Sequence, residues 1–148
     1  MAEAIEGHCL CGAVAVTLHD PKPHLEICHC DMCRRWGGAY YAAATGASFD
    51  IVGHEAITTY ASSNWGERAF CATCGSHVWW RFKPTGNRSF HAGLFDAASN
   101  FLVEKEIFVD ERAAWSDLSG SHPRQTGAEV IAEAKAAGFS FDEGDSAD

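Results

Sequence analysis

Seven cysteines are the residues of this 148-residue chain whose spacing most clearly indicates chemistry. They fall into three groups: Cys9 with Cys11, Cys28 with Cys30 and Cys33, and Cys71 with Cys74. Zn²⁺ prefers four tetrahedral ligands, and cysteines one or two residues apart can bind it from one tight turn. Isolated buried cysteines behave as small apolar residues, but two such close pairs favour metal binding. We therefore predict a zinc protein.

The glycines that follow the two cysteine pairs suggest how the ligands are shared. Gly12 and Gly75 each come directly after the second cysteine of a pair. Glycine adopts positive φ at low cost, which lets the chain fold back so that backbone N–H groups point at a thiolate. This shared feature predicts one closed, structural zinc bound by Cys9, Cys11, Cys71 and Cys74. The spacing also permits another partition, in which Cys9 and Cys11 join Cys30 and Cys33.

The remaining cysteines, Cys28, Cys30 and Cys33, provide three ligands without a fourth. Three protein ligands and one exchangeable position are typical of a catalytic zinc, whereas structural sites are normally filled. The expectation is therefore two zinc ions per chain, the second of them reactive. A histidine could instead complete this set, and the candidates are His29, His54, His77 and His91.

Charge and composition limit the possible partners. The chain has 11 Lys and Arg residues against 20 Asp and Glu, a formal net charge of -9. Such a surface repels phosphate backbones and anionic lipid, so we expect neither nucleic-acid nor membrane binding. The first six residues contain no basic region and no apolar run, which predicts a cytoplasmic protein. In that reducing compartment cysteine clusters are metal-binding or catalytic rather than disulfide-bonded.

Short apolar runs bounded by turn residues predict a mostly β fold. The expected strands lie near residues 14–18, 25–27, 40–45, 49–52, 57–60, 77–82, 89–94 and 102–109. One helix is predicted over Ala128–Ala137, because Thr126 and Glu129 form a capping box and Gly138 can end it. We expect residues 1–125 to form the zinc-binding domain and residues 126–148 to add a short C-terminal helix and an acidic tail, Asp142–Asp148.

Five motifs, in this order, resemble the glutathione-dependent formaldehyde-activating enzyme family, which also includes centromere protein V. They span roughly residues 5 to 120. The motifs are Gly7-x-Cys9-x-Cys11-Gly12-Ala13-Val14, Cys28-His29-Cys30-x-x-Cys33-Arg34-Arg35-Trp36-x-Gly38, Arg68-x-Phe70-Cys71-x-x-Cys74-Gly75-Ser76, Gly93-x-x-Asp96, and a final stretch with Ile107-Phe108-Val109 and Trp115.

The resemblance implies a mostly β, Mss4-like fold of small coiled sheets around zinc. It also implies the partition that the glycines favour, with a structural set and a catalytic set of ligands. The activity it implies is carbon–sulfur lyase chemistry, which joins glutathione and formaldehyde into S-hydroxymethylglutathione and reverses that step. The partners it implies are a small thiol such as glutathione and an aldehyde. The sequence specifies no oligomeric state.

Three thiolates leave Zn²⁺ with a net charge of about -1, which suits an incoming thiol better than the activation of water. Glutathione is anionic, so its carboxylates require cations on this acidic protein. Arg34 and Arg35 directly follow the third ligand, and Arg68 precedes the Cys71 pair. Arginine matches carboxylates with a bidentate fork, so we expect Arg34 and Arg35 to contact substrate. Surface ion pairs of little energetic worth are the alternative.

Two other classes of function compete with the lyase. In the first, both zinc ions are structural and the protein is an interaction module like centromere protein V, although a chromatin role would call for a basic surface. In the second, the Cys28 group serves thiol redox chemistry or metal buffering.

Overall fold

The computed structural model describes residues 3–141, and within them the chain is mostly β. Two sheets carry the fold. The smaller sheet has the order β1-β2-β5 and is antiparallel. Its strands are β1 (Ile5–His8), β2 (Ala15–His19) and β5 (Ser48–Val52). Val16 and Leu18 of β2 point into the core and alternate with half-buried neighbours, as the sequence pattern predicts.

The larger sheet has eight strands in the order β11-β10-β3-β4-β9-β8-β7-β6. Strand β10 runs parallel to β3 and β11, and the other pairs are antiparallel. The strands are β3 (His24–Cys28), β4 (Tyr41–Ala44), β6 (Ile57–Ala61), β7 (Gly66–Cys71), β8 (His77–Phe82), β9 (Asn87–His91), β10 (Leu102–Ile107) and β11 (Arg124–Gln125). This sheet positions two cysteine groups, since β3 ends at Cys28 and β7 ends at Cys71.

The main hydrophobic core includes two of the cysteines, Cys9 and Cys71. Phe90, Phe95 and Val78 are almost completely buried there, and Cys9 and Cys71 belong to the same apolar cluster. A fully buried side chain of this size stabilises the folded state by about 1.5–3 kcal/mol. A smaller cluster contains Cys30, Cys33 and Tyr41. Each cysteine group therefore has buried members in packed structure, although Cys11 is exposed.

The C-terminal helix is confirmed. It is α2 (Gly127–Ala136), and the Thr126 side chain accepts a hydrogen bond from the Glu129 N–H while Glu129 binds back to the Thr126 backbone. The mostly β fold with this late helix is therefore as predicted. The predicted acidic tail, Asp142–Asp148, lies outside the described residues.

A second helix, α1 (Asp31–Gly37), was not expected from the sequence. Cys30 caps its N-terminus, where the sulfur accepts the Cys33 N–H at 3.4 Å, and Gly38 ends it at φ +95°. Three strands, β1, β7 and β11, also went unpredicted. The predicted strand over residues 89–94 ends early, because Ala92–Leu94 forms a 3₁₀ turn. None of the helices in the described part of the chain is long and apolar enough to cross a membrane.

Candidate metal centres

Four cysteines, predicted from the glycine pattern, meet at one point. The sulfurs of Cys9, Cys11, Cys71 and Cys74 all lie within 4.8 Å of one another. Cys11 Sγ is 3.7 Å from Cys9 Sγ and 3.8 Å from Cys71 Sγ. A tetrahedral zinc with Zn–S bonds of about 2.3 Å separates its sulfurs by about 3.8 Å. These four thiols could therefore hold a zinc ion, whereas the alternative partition with Cys30 and Cys33 is not the arrangement found.

The two glycines have the conformation that the sequence predicts. Gly12 has φ +82° and Gly75 has φ +79°, and a Cβ at either position would meet open space. Their N–H groups donate to the carbonyls of Cys9 at 3.1 Å and Cys71 at 2.8 Å. The need for glycine is therefore conformational rather than steric. These matching turns present the two cysteine pairs to each other.

Ser76 connects the two halves of this first site. Its hydroxyl oxygen accepts the Leu10 N–H at 3.0 Å and lies 3.2 Å from Cys74 Sγ. Hydrogen bonds from the Ser76 side chain and backbone lower the pKa of Cys74 to about 5. Cys74 is therefore favoured as a thiolate, the form in which it binds metal.

The second cluster forms where β3 passes into α1. The sulfurs of Cys28, Cys30 and Cys33 lie within 4.8 Å of one another, and Cys30 and Cys33 are buried. Hydrogen bonds from Cys28 and Cys33 lower the pKa of Cys30 to about 2, and contacts with Cys30 and Cys33 raise the pKa of Cys28 well above its ordinary value. The three sulfurs could hold one metal ion.

No fourth protein ligand joins this trio among residues 3–141: no histidine or carboxylate there brings a ligand atom within 4.8 Å of all three sulfurs. His29 lies between two of the cysteines, but its Nε2 atom is bonded to Glu106. His54, His77 and His91 do not reach the cluster either. A histidine that completes the set is therefore not part of this arrangement.

Glu106 is a functional candidate that the sequence analysis missed. Its carboxylate is completely buried and binds His29 at 2.7 Å, His122 at 2.6 Å and Arg124 at 2.8 Å. Burial alone would raise the pKa of Glu106, but hydrogen bonds from His122 and His29 outweigh it and lower the pKa. The His29 backbone also donates to the Ile107 carbonyl at 3.0 Å. Strand β10 thus holds the Cys28–Cys30 turn in place.

The three arginines near the motifs have different environments. Arg35 is 71% exposed and lies 3.5 Å from Asp31. Arg34 is half-buried, and its buried Nε atom has no hydrogen-bond partner among the described residues. Arg68 is only 5% exposed, and both of its Nη atoms donate to Cys33 Sγ at 3.8 Å. Of the two arginines predicted to contact substrate, Arg34 thus has a buried donor without a described partner, and Arg35 is the more exposed.

Four aromatic rings form a closed cycle beside the trio. Trp36 packs on Tyr41 at 5.1 Å and on His77 at 4.5 Å between ring centroids, and His91 contacts Tyr41 at 6.1 Å and His77 at 5.9 Å. Tyr41 and Trp36 also pack against Cys30 and Cys33. Burial lowers the pKa of both histidines, so both rings are neutral at pH 7. The trio therefore has an uncharged, half-buried wall.

A cavity of about 580 Å³ opens elsewhere on the surface, and its lining contains none of the cysteines. Its walls come from β3 and the 3₁₀ turns that follow β9, with Leu25, Phe95 and Phe101 among them. The chemically distinctive groups are the two cysteine clusters.

The chain is similar to known proteins over most of its length. Residues 4–111 match a family model described as "Glutathione-dependent formaldehyde-activating enzyme". An uncharacterized lyase of Schizosaccharomyces pombe is 30% identical over 128 residues, which cover 85% of this chain and 93% of that protein. A crystal structure of a Rhodobacter sphaeroides protein is similar with a TM-score of 0.54 and 21% identity, covering 81% of this chain and 99% of that one. The latter likeness concerns the fold alone.

Proposed function

The chain belongs to the glutathione-dependent formaldehyde-activating enzyme family, and from this membership we propose that it is a zinc-dependent carbon–sulfur lyase. Its substrates would be a small thiol and an aldehyde, with glutathione and formaldehyde the pair that the family's name supplies. The S. pombe relative is also named a lyase. The product would be the thiol–aldehyde adduct, S-hydroxymethylglutathione or a close relative, and the reaction would be reversible.

Two zinc ions would have different tasks. Cys9, Cys11, Cys71 and Cys74 would hold the first ion in a closed site that fastens the loop after β1 to the end of β7. By analogy with zinc-finger peptides, such a site stabilises the fold by about 10–16 kcal/mol. Cys28, Cys30 and Cys33 would hold the second ion and are the proposed catalytic ligands. The observation that carries the proposal is this convergence of three sulfurs without a fourth ligand among the described residues.

The reaction needs no oxidant. Zinc bound by the trio would supply a coordination position at which a substrate thiol is held as its thiolate. The sulfur's electron pair forms the new bond to the aldehyde carbon, the C=O π electrons move to oxygen, and that oxygen takes up the proton that the thiol lost. Breakdown of the adduct reverses each change. The wall of Trp36, Tyr41, His77 and His91 would limit water on one side of the site.

Substrate carboxylates would be bound by Arg34 and Arg35. Arg34 has a buried Nε donor without a partner in the described structure, and Arg35 is exposed and faces Asp31, so both are candidates. On a chain of net charge -9, such local cations would be needed to bring an anionic thiol close. A bidentate arginine–carboxylate contact also orients the thiol toward the metal.

An exchange measurement tests the proposal directly. Glutathione and formaldehyde combine spontaneously, so the useful quantity is the rate at which the mixture at equilibrium interconverts free glutathione and adduct, measured by NMR exchange spectroscopy. We expect wild-type protein to accelerate this exchange in proportion to its concentration. The Cys28→Ser protein, folded and still holding the structural zinc, should give the spontaneous rate.

The same measurement separates the proposal from its competitors. If wild-type protein carries metal at both clusters but accelerates no exchange with glutathione or with smaller thiols such as 2-mercaptoethanol, the lyase proposal is wrong, and an interaction module would fit better. Ready formation of a disulfide within the Cys28 cluster, without bound metal, would favour the redox alternative.

A further inference from the structure

The guanidinium of Arg68 faces a cysteine sulfur rather than the surface. Arg68 lies in β7, paired with Trp80 of β8 and Tyr60 of β6. Both Nη atoms lie 3.8 Å from Cys33 Sγ, within hydrogen-bonding range of sulfur. With 5% of its surface exposed, the side chain has given up its hydration. A buried arginine needs an anionic partner, because desolvation of an unpaired charge is very unfavourable.

The Cys33 sulfur, which is an anion when it binds metal, is the group that faces this charge. Arg68 forms no ion pair with any carboxylate within residues 3–141. Both of its Nη atoms instead donate hydrogen bonds to Cys33 Sγ. The contact is therefore directed at the cluster proposed to hold the reactive metal.

Two further contacts fix the orientation of the guanidinium. Arg68 Nε donates to Ser62 Oγ at 3.1 Å, and Ser62 is itself buried. On one face, Arg68 Cζ lies 4.8 Å from the centroid of the Trp36 ring, a favourable cation–π distance. The guanidinium is thus held at Nε by Ser62 and on one face by Trp36. It could bind a substrate carboxylate elsewhere only by breaking both contacts.

We propose that Arg68 is a positioning residue that draws electron density from Cys33 Sγ and thereby strengthens the hold of the trio's metal on a fourth, incoming thiolate. This inference deepens the proposed function and rests on a metal at the trio. Zn²⁺ with three thiolates carries about -1, and a fourth thiolate brings it to about -2. A fixed cation on one sulfur offsets one of these charges. The N–H···S bonds also weaken that sulfur as a donor, so the metal accepts more charge from the visiting sulfur.

The test replaces Zn²⁺ by Co²⁺, whose visible bands report tetrahedral sulfur ligation. The variants are Arg68→Met, which removes the charge but keeps the length, and Arg68→Lys, which keeps the charge but loses the fork. Arg81→Met is the matched control, because Arg81 lies in the neighbouring strand β8 and pairs only loosely with Glu67 at 4.0 Å. Subtraction of the Cys28→Ser spectrum isolates the bands of the trio.

Three quantities should change together in Arg68→Met. The sulfur-to-cobalt charge-transfer band should move to lower energy, because Cys33 becomes electron-richer. The affinity for Co²⁺, measured by competition with a chelator, should fall by about 10–100-fold, because loss of the cation that offsets the charge of the thiolates outweighs the stronger donation by Cys33. The affinity for glutathione or 2-mercaptoethanol, read from the visible bands, should fall as well. Arg68→Lys should lie between wild type and Arg68→Met, and Arg81→Met should match wild type.

A folded Arg68→Met protein with unshifted bands and wild-type affinities for cobalt and thiol would overturn the inference. If Arg68→Met does not fold by circular dichroism, Arg68→Lys decides: a shifted band and weaker thiol binding support the role, and values identical to wild type refute it. A wild-type protein that takes no cobalt at the trio would remove the proposed function and this inference together. Cobalt and thiol binding that does not depend on Arg68 would remove the inference alone.

Discussion

His29 Nε2 lies 2.7 Å from Glu106 Oε1, and neither side chain is exposed to solvent. His29 stands between two cysteines of the trio, while Glu106 belongs to β10, the strand parallel to β3. The same carboxylate binds His122 and Arg124. One buried glutamate therefore joins the turn that carries Cys28 and Cys30 to the segment that precedes α2.

Replacing Glu106 by Gln should destabilise the protein by about 3–5 kcal/mol, because it removes one partner of a buried charged network. Denaturant unfolding measures this loss. Glu104→Gln, in the same strand but exposed, is the matched control and should change stability little. Equal effects of the two substitutions would mean that the buried network contributes no special stability.

The titration of Glu106 should also make the stability of the protein depend on pH. Because the pKa of Glu106 is lowered in the folded state, its contribution is fully present above the ordinary glutamate pKa and is lost as pH falls through the folded value. Wild type should therefore lose more stability than Glu106→Gln on acidification below about pH 4.3. Parallel stability curves for the two proteins in that range would contradict the assigned role.

Ser76→Ala should loosen the four-cysteine site without abolishing it. The substitution leaves the Leu10 N–H without its acceptor and Cys74 Sγ without its hydroxyl neighbour. We expect a loss of about 1 kcal/mol in stability and faster release of zinc to a chelator. Thr73→Ala, an exposed position in the same turn, serves as control. Zinc release at the wild-type rate would show that Ser76 does not support this site.

Gly75→Ala tests the conformational argument for the cysteine turns. At φ +79° an alanine costs about 1–2 kcal/mol, although its Cβ would touch nothing. Thermal unfolding should reveal the loss. Gly37→Ala is the contrasting control, because Gly37 lies in α1 with equally open space, and alanine favours helix there. A neutral Gly75→Ala would remove the conformational reason for grouping Cys9 and Cys11 with Cys71 and Cys74.

The cysteine turns and the start of α2 could be predicted from the sequence, because both depend on the conformational preferences of neighbouring residues. Gly12 and Gly75 predicted the grouping of four cysteines, since a turn that needs positive φ favours glycine whatever surrounds it. The capping box of Thr126 and Glu129 predicted the start of α2, since its hydrogen bonds join residues only three positions apart. These signals depend on residues within a few positions of each other.

Features that depend on distant contacts could not be predicted. Helix α1 has only seven residues, and its N-cap is Cys30, whose sulfur replaces the usual hydroxyl or carboxylate. The register of β10 against β3 shifts between Val103 and Lys105, so simple alternation does not reveal that Glu106 is buried. The sequence shows Arg68 only as a cation before the Cys71 pair, whereas the fold turns it toward Cys33.

The number of zinc ions per chain tests the central claim most directly. We expect about two in purified wild-type protein and about one in folded Cys28→Ser. Cys9→Ser should not fold, since loss of a structural zinc worth about 10 kcal/mol or more is comparable with the whole stability of a domain. A wild-type protein with a single zinc, retained after Cys28→Ser, would contradict the account, because Cys28, Cys30 and Cys33 would then hold no reactive metal.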